Sequence, residues 1–319
     1  MEKQKVFVDI ETSDPDDVIA LIYLLGVDHI EIIGVTIHPG SQAQIDLIKF
    51  ILSKFNKDHI PVGSYNYNHK FKLSPWYTRA LGDIPKSEPC NINGGELMFR
   101  LCGEDTILFT AGPNKNLGEA MKLGTLNLKA WYPQGGFAGD NVVPNEYILD
   151  KFKGKIICPT SNFDGSKKES LSAIQSPNIK VKYACSKNVC HNVIYDKKIH
   201  KIIKQYVDEH QDKNSDKYKS IELIYDAMNK GYFEKKQNKE YFEKKQNKTN
   251  LKNRGIGNFG KKMHDVLPAV CMSDLSVCEW KEVDMFYETK GWGCNLKDGT
   301  NVFISINYDE VKFWNTFLN

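Results

Sequence analysis

The sequence has no apolar run long enough to cross a membrane. Its longest, Val18 to Val27, spans ten residues, against the roughly 20 that a membrane helix needs. It also lacks the apolar core of a signal peptide. Met1-Glu2-Lys3-Gln4-Lys5 leads straight into a strand-like pattern, so a soluble, cytoplasmic protein is expected. Cysteine is sparse, with eight in 319 residues and no Cys-x-x-Cys pair, which excludes a disulfide scaffold. Cys185, Cys190, Cys271 and Cys278 sit in apolar surroundings that suit buried thiols. A strong excess of either charge is missing too, since 43 Lys and Arg face 40 Asp and Glu, for a net +3. A hydrophobic fraction of 41% beside 26% charged residues excludes a wholly disordered chain and can fill a sizeable core.

The balance hides one local excess. Residues 232–262 hold ten basic and three acidic side chains, +7 in all, so the remainder sums to −4. A tandem nine-residue repeat lies inside, with Tyr232 to Glu240 followed by Tyr241 to Thr249. Two copies are too few for a solenoid. The expectation is a duplicated surface insertion, partly helical and mobile, within a single domain spanning 1–319. A charge run is usually a solvated face, so nucleic acid is not expected as a partner.

Element order points to an α/β fold. Lys5 to Asp9 reads as a buried strand. Asp14 then suits a helix N-cap, Pro15 the first helical position, and Asp16 and Asp17 the positive end of the helix dipole. The apolar stretch that follows closes at Gly26. Ile30 to Ile37 is a second strand and Gln42 to Phe55 a second helix. The alternation continues through strands at 106–110, 126–131 and 179–184, with helices at 117–121 and 166–174. Residues 196–230 read as two polar helices, and another helix lies around 263–271. From Glu279 to Ile306 the pattern alternates like antiparallel strands, and an amphipathic helix from Tyr308 to Phe317 ends the chain. The prediction is a wound, mostly parallel sheet flanked by helices, with a small C-terminal antiparallel β element. In such sheets ligands sit beyond the carboxyl ends of the strands.

Asp9, Glu11, Asp14, Asp16 and Asp17 place five carboxylates within nine residues, directly after the first strand. Capping explains the three at the helix start. It does not explain Asp9 and Glu11, and crowded carboxylates call for a hard, oxygen-seeking cation.

Two families carry similar lettering. Phe7-Val8-Asp9-Ile10-Glu11-Thr12 resembles the first motif of the DEDD-type exonucleases, where an Asp-x-Glu pair binds two metals for phosphodiester cleavage. That pattern also needs an Asp five positions after a late His, and Ala269 occupies the place after His264. The second resemblance runs across the chain. Asp9-x-Glu11-(x4)-Asp16-Asp17 resembles the Asp-x-Asp-(x3)-Asp-Asp signature of the inosine/uridine-preferring nucleoside hydrolases. Ala111 to Leu117 resembles their Thr-Gly-x-Leu-Thr-Asn turn, and Gln134-Gly135-Gly136 with Gly139-Asp140-Asn141 resembles their Met-Gly-Gly and Gly-Asn loop. Cys158 to Asp164 resembles their Ala-Glu-Phe-Asn stretch, and His264-Asp265 their late His-Asp pair.

That resemblance implies a hydrolase that cleaves the N-glycosidic bond of a ribonucleoside or related N-ribosyl compound. It implies one Ca²⁺, held by Asp9, Glu11, Asp17, Asp265 and the backbone carbonyl of Ala111. Glu11 takes the place of the general base, with Asp9 beside it, although the motif is one residue longer and Asp14 could fill that register instead. Asp16, Asn141 and Asn162 would hold the ribose, together with Thr160, which stands where the family has a Glu. His264, titrating near neutrality, would protonate the departing base. Ser41 replaces the Asn usual after the second strand. Relatives assemble as dimers or tetramers, so a homo-oligomer is expected. Trp76, Tyr77 and Trp131 suit core packing more than base stacking. A non-catalytic ligand-binding relative remains the third reading. Lys187-Asn188-Val189-Cys190-His191 is assigned to none of these motifs and suits surface polar groups over buried cysteines.

Overall fold

A computed structural model describes residues 3–234 and 260–319. The repeat beyond Glu234 lies outside the described residues, and so does its expected form. In chain order the elements begin with β1 (Gln4–Ile10), α1 (Pro15–Leu25), β2 (Ile30–Ile37), α2 (Gln42–Lys54) and β3 (Val62–Ser64). Next come α3 (Pro75–Leu81), α4 (Gly94–Leu101), β4 (Ile107–Ala111), α5 (Lys115–Leu123) and β5 (Ala130–Pro133). Then follow β6 (Ile157–Cys158), α6 (Ser161–Asp164), α7 (Lys167–Gln175), β7 (Lys182–Ala184), α8 (Lys187–Cys190) and β8 (Ile194–Tyr195). The rest are α9 (Lys197–Glu209), α10 (Asp216–Met228), β9 (Lys261–Lys262), α11 (Val266–Ser273), β10 (Cys278–Glu288), β11 (Gly291–Leu296), β12 (Val302–Tyr308) and α12 (Glu310–Leu318).

The main sheet has ten strands in the order β3-β2-β1-β4-β5-β7-β12-β10-β11-β6. From β3 to β12 neighbouring strands run parallel, and beyond β12 they alternate. The expected C-terminal antiparallel strands are therefore present, and they extend the main sheet. A separate antiparallel pair joins β8 to β9. β1 lies well inside the sheet, buried from Val6 to Ile10, as a parallel strand covered on both faces requires. Its side chains alternate: Val6, Val8 and Ile10 enter one apolar core and Phe7 the other.

α1 is buried at every position after Pro15. A helix apolar all round belongs inside a core, and it packs on α10 and α11. Gly26, just past its end, makes that approach possible, since a Cβ there would lie 2.1 Å from Ser220 Oγ. Short helices escape the pattern reading, being too brief for a period to show, among them α3, α4 and α8. Each of these three is started by a side chain accepting from a backbone N–H, Ser74 from Trp76, Asn93 from Glu96 and Ser186 from Asn188. No helix among the described residues is long and apolar enough to cross a membrane.

Candidate functional site

The parallel register sets the site. Asp9 pairs with Thr36 on β2 and with Thr110 on β4, at the carboxyl ends of all three strands. Its Oδ1 accepts from Thr36 Oγ1 and from Asn116 Nδ2, each at 2.8 Å, while its buried Oδ2 has no partner. Burial pushes this carboxyl up to about 7, against those two hydrogen bonds. Glu11, half-buried just beyond the strand, accepts from Ser13 Oγ at 2.7 Å. Burial first, and the charge of Asp16 in addition, raise it above the ordinary glutamate value. The turn after β4 lies against it, since a Cβ on Gly112 would sit 3.0 Å from the Glu11 nitrogen. Ala111 is therefore adjacent to the acidic loop.

Asp14 holds the N-cap position of α1, yet its side chain does not cap the helix. It turns to Lys261 Nζ, at 2.7 Å, and Asp16 Oδ1 lies 2.7 Å from the same ammonium. Burial opposes the charged form of Asp16, but Lys261 first, with His264 and Asp14 in addition, keeps that carboxyl below the ordinary range. Asp14 is raised, by burial and then by Asp16. Asp16 Oδ2 accepts the backbone N–H of Asp265 at 3.3 Å, which ties the start of α11 to the start of α1. Side chains from opposite ends of the chain are thereby brought together. Asp17 and Asp265 are buried, each keeps an oxygen without a partner, and each is raised well above the ordinary value. Burial is the largest cause in both. Asp265 and Glu11 act next on Asp17, and Asp16 and Glu11 next on Asp265.

Among the described residues no group of three or more Asp, Glu, His or Cys side chains is so placed that it could hold a metal ion as it stands. Lys261 pairs with two of the carboxylates, Asp14 and Asp16. The set still fits a hard cation. Asp9 Oδ2, Asp17 Oδ1 and Asp265 Oδ1 are buried acceptors with nothing to accept from, and acceptor-only oxygens in that state cost free energy until a positive group reaches them.

The remaining expected positions divide. Asn162 is buried and donates to the backbone carbonyl and the Oε1 of Gln134, at 3.2 and 2.8 Å. Thr160 holds the N-cap position of the same short helix without capping it, its buried Oγ1 free of any partner. Asn141 is not brought to the site: exposed, it donates to the Cys294 carbonyl at 2.7 Å and to Asn295 Oδ1 at 3.1 Å, on β11. His264 is placed near the carboxylates, with Nδ1 3.8 Å from Asp16 Oδ2. Its expected titration near neutrality does not hold, because burial and the lysines around it lower it to about 4 despite Asp16. Trp131 is core, donating to Thr110 Oγ1 at 3.0 Å and stacked on Phe163. Tyr77 instead pins the acidic loop, donating to the carbonyls of Thr12 and Asp14.

Sequence reasoning missed Lys261 and Gln134. Lys261 stands at the end of the basic run, where a lysine reads as solvated, and only the β8–β9 pairing turns it inward. Gln134 lies inside the Gln-Gly-Gly match, but nothing in the lettering shows that its amide bridges Asn162 and Cys190 Sγ, the latter at 3.1 Å.

Asp9 also makes a direct prediction. Its folded-state value lies above the unfolded one, so the protonated form favours folding, and that contribution is lost as pH rises from about 4 through about 7. In chelator, Asp9→Asn should match the native chain near pH 4 and gain on it by up to about 4 kcal/mol above pH 7. Thermal melts across that range check this, and parallel curves would contradict it.

No protein-family model and no curated protein matches the chain. Solved structures do. The purine-preferring ribonucleoside hydrolase from Gardnerella vaginalis aligns at a TM-score of 0.65 and 15% identity, over 98% of this chain and 96% of its own. A plant nucleoside hydrolase gives 0.68 and 13%, over 98% and 97%. The inosine-uridine preferring nucleoside hydrolase from Bacillus anthracis gives 0.63 and 15%, over 99% and 98%. The fold described above is theirs.

Proposed function

We propose that this chain hydrolyses the N-glycosidic bond of ribonucleosides, or of a related N-ribosyl compound, around one Ca²⁺ ion. The observation that supports this most is the set of three partnerless, buried carboxylate oxygens on Asp9, Asp17 and Asp265. They stand at the carboxyl ends of β1 and β4, in a fold that aligns with nucleoside hydrolases over nearly its whole length. The exonuclease resemblance spans six residues, whereas this likeness spans nearly the whole chain.

Asp17, Asp265, Asp9, Glu11 and the Ala111 carbonyl would hold the ion. When bound, it supplies the positive charge that eases deprotonation of an attacking water and orients the sugar hydroxyls. Glu11, half-exposed and raised above its ordinary value, is suited to take that proton. Asp16 keeps lone pairs for the ribose hydroxyls beside those given to Lys261 and the Asp265 N–H. As the glycosidic bond lengthens, positive charge grows at the anomeric carbon, and the surrounding carboxylates stabilise it. His264 is neutral, and its buried Nε2 has no partner. It is therefore a positioned hydrogen-bonding group for the departing base.

The test is incubation with inosine, uridine and adenosine and their 5′-monophosphates, with and without chelator, reading free base. Base release that stops in chelator is the expected result. No base from any of them would overturn the proposal, as would release that chelator leaves untouched. Shortening of labelled single-stranded DNA would favour the exonuclease reading instead.

A further inference from the structure

The segment that no motif absorbed, Lys187 to His191, stands directly beside the candidate site. The His191 and His264 rings pack with centroids 4.5 Å apart. His191 Nδ1 meets Lys151 Nζ at 2.6 Å and Lys262 Nζ at 3.3 Å. Two ammonium groups therefore claim one ring nitrogen, which has at most one lone pair to give. They cannot be more than about 6 Å apart, a separation at which like charges repel appreciably when partly shielded from water. Lys187, at the start of α8, donates to the carbonyl of Pro159 at 2.6 Å, one residue before Thr160. Among the described residues no carboxylate pairs with Lys151, Lys187 or Lys262. The contrast with Lys261, next to Lys262 and held by two carboxylates, is sharp.

Two ammonium groups from separate segments thus meet at one ring without an acid, and the charge of Lys187, on a third segment, acts on both Lys151 and His191. Burial and then Lys262 lower Lys151 to about 8, and burial and then His264 and the lysines lower His191 to about 2. An arrangement that opposes itself in this way is relieved by a compact anion with several acceptor oxygens. His264 links the two regions, since it touches Asp16 on one side and His191 on the other.

We propose that Lys151, Lys187, Lys262 and His191 form a phosphate subsite, so that the compound cleaved is a phosphorylated nucleoside rather than a neutral one. This rests on the glycosidase reading for what happens at the sugar, and not for the anion site itself. A sugar held at Asp16 and Asn162 has the cluster along one edge, where its phosphate would take charge-assisted hydrogen bonds from the lysines. Tetrahedral phosphate suits donors arriving from several directions, and no reacting bond changes at this subsite.

Two measurements test it. The first compares kcat/KM for inosine 5′-monophosphate and inosine. The monophosphate should be favoured by about ten- to a hundredfold, the worth of one or two charge-assisted hydrogen bonds. That ratio should shrink in high salt and fall to within about twofold in Lys151→Met/Lys262→Met. Equal values in the native chain, or a ratio the double variant leaves intact, would overturn the proposal. The second needs no turnover: inorganic phosphate and ribose 5-phosphate should raise the melting temperature of the native chain, and that rise should vanish in the double variant and in Lys187→Met. If neither substrate releases base while the phosphate-induced rise behaves as stated, the glycosidase reading fails and the anion site stands. If base is released and phosphate binds no better to the native chain than to the variants, the anion site fails and the glycosidase reading stands.

Discussion

In chelator, Asp17→Asn should melt above the native chain. In calcium it should melt below it and lose at least about a thousandfold in turnover. Opposite shifts from one substitution follow from where Asp17 sits. Its carboxyl is buried in the first turn of α1, one oxygen has no partner, and Asp265 and Glu11 face it. Without a cation that group is a liability, met either as repulsion or by holding a proton. The carboxamide removes it, for a gain of about 1–3 kcal/mol. A cation present at about a thousand times its dissociation constant stabilises the folded chain by about 4.1 kcal/mol, more than the carboxamide gains, and the variant forgoes that contribution. Calcium addition to the native chain should also release protons, because raised carboxyls must ionise to bind it. Thermal scans with and without calcium, together with base release, measure all of this. An Asn variant that keeps the native calcium shift would remove Asp17 from the metal set.

Where local chemistry decides the outcome, the residues announced it. The β1-α1-β2-α2 alternation reads from a buried strand, a proline at the first helical position and the apolar period of Gln42 to Phe55. The acidic cluster reads from spacing alone, and Asp265 only from the resemblance of His264-Asp265 to the late His-Asp pair of nucleoside hydrolases. What stayed hidden depends on contacts far along the chain. Asn141 matched a motif by letter, but the path of the chain gives its amide to β11, 153 residues away. His264 reads as a near-neutral titrating group. Its fall to about 4 comes from burial and from lysines on other segments, none of which a local pattern contains. Lys261 is the strongest case, since nothing in a basic run marks which lysine turns inward.

That lysine carries the second large effect. Lys261→Met should cost the metal-free protein about 3–5 kcal/mol, the usual consequence of removing one partner from a buried charge set. Asp16 has no exposure at all and would be left beside Asp14 with no cation between them. The same substitution should tighten calcium binding by about tenfold or more, because an ammonium among the carboxylates repels a second positive charge. Metal-free stability and calcium affinity therefore move in opposite directions, and chelator melts read beside calcium titrations separate them. A variant that lost calcium affinity along with stability would make Lys261 part of the scaffold that shapes the site. One that gained affinity would show the chain carrying its own counter-charge among these acids, so that the carboxylates can be gathered at the strand ends before any metal arrives.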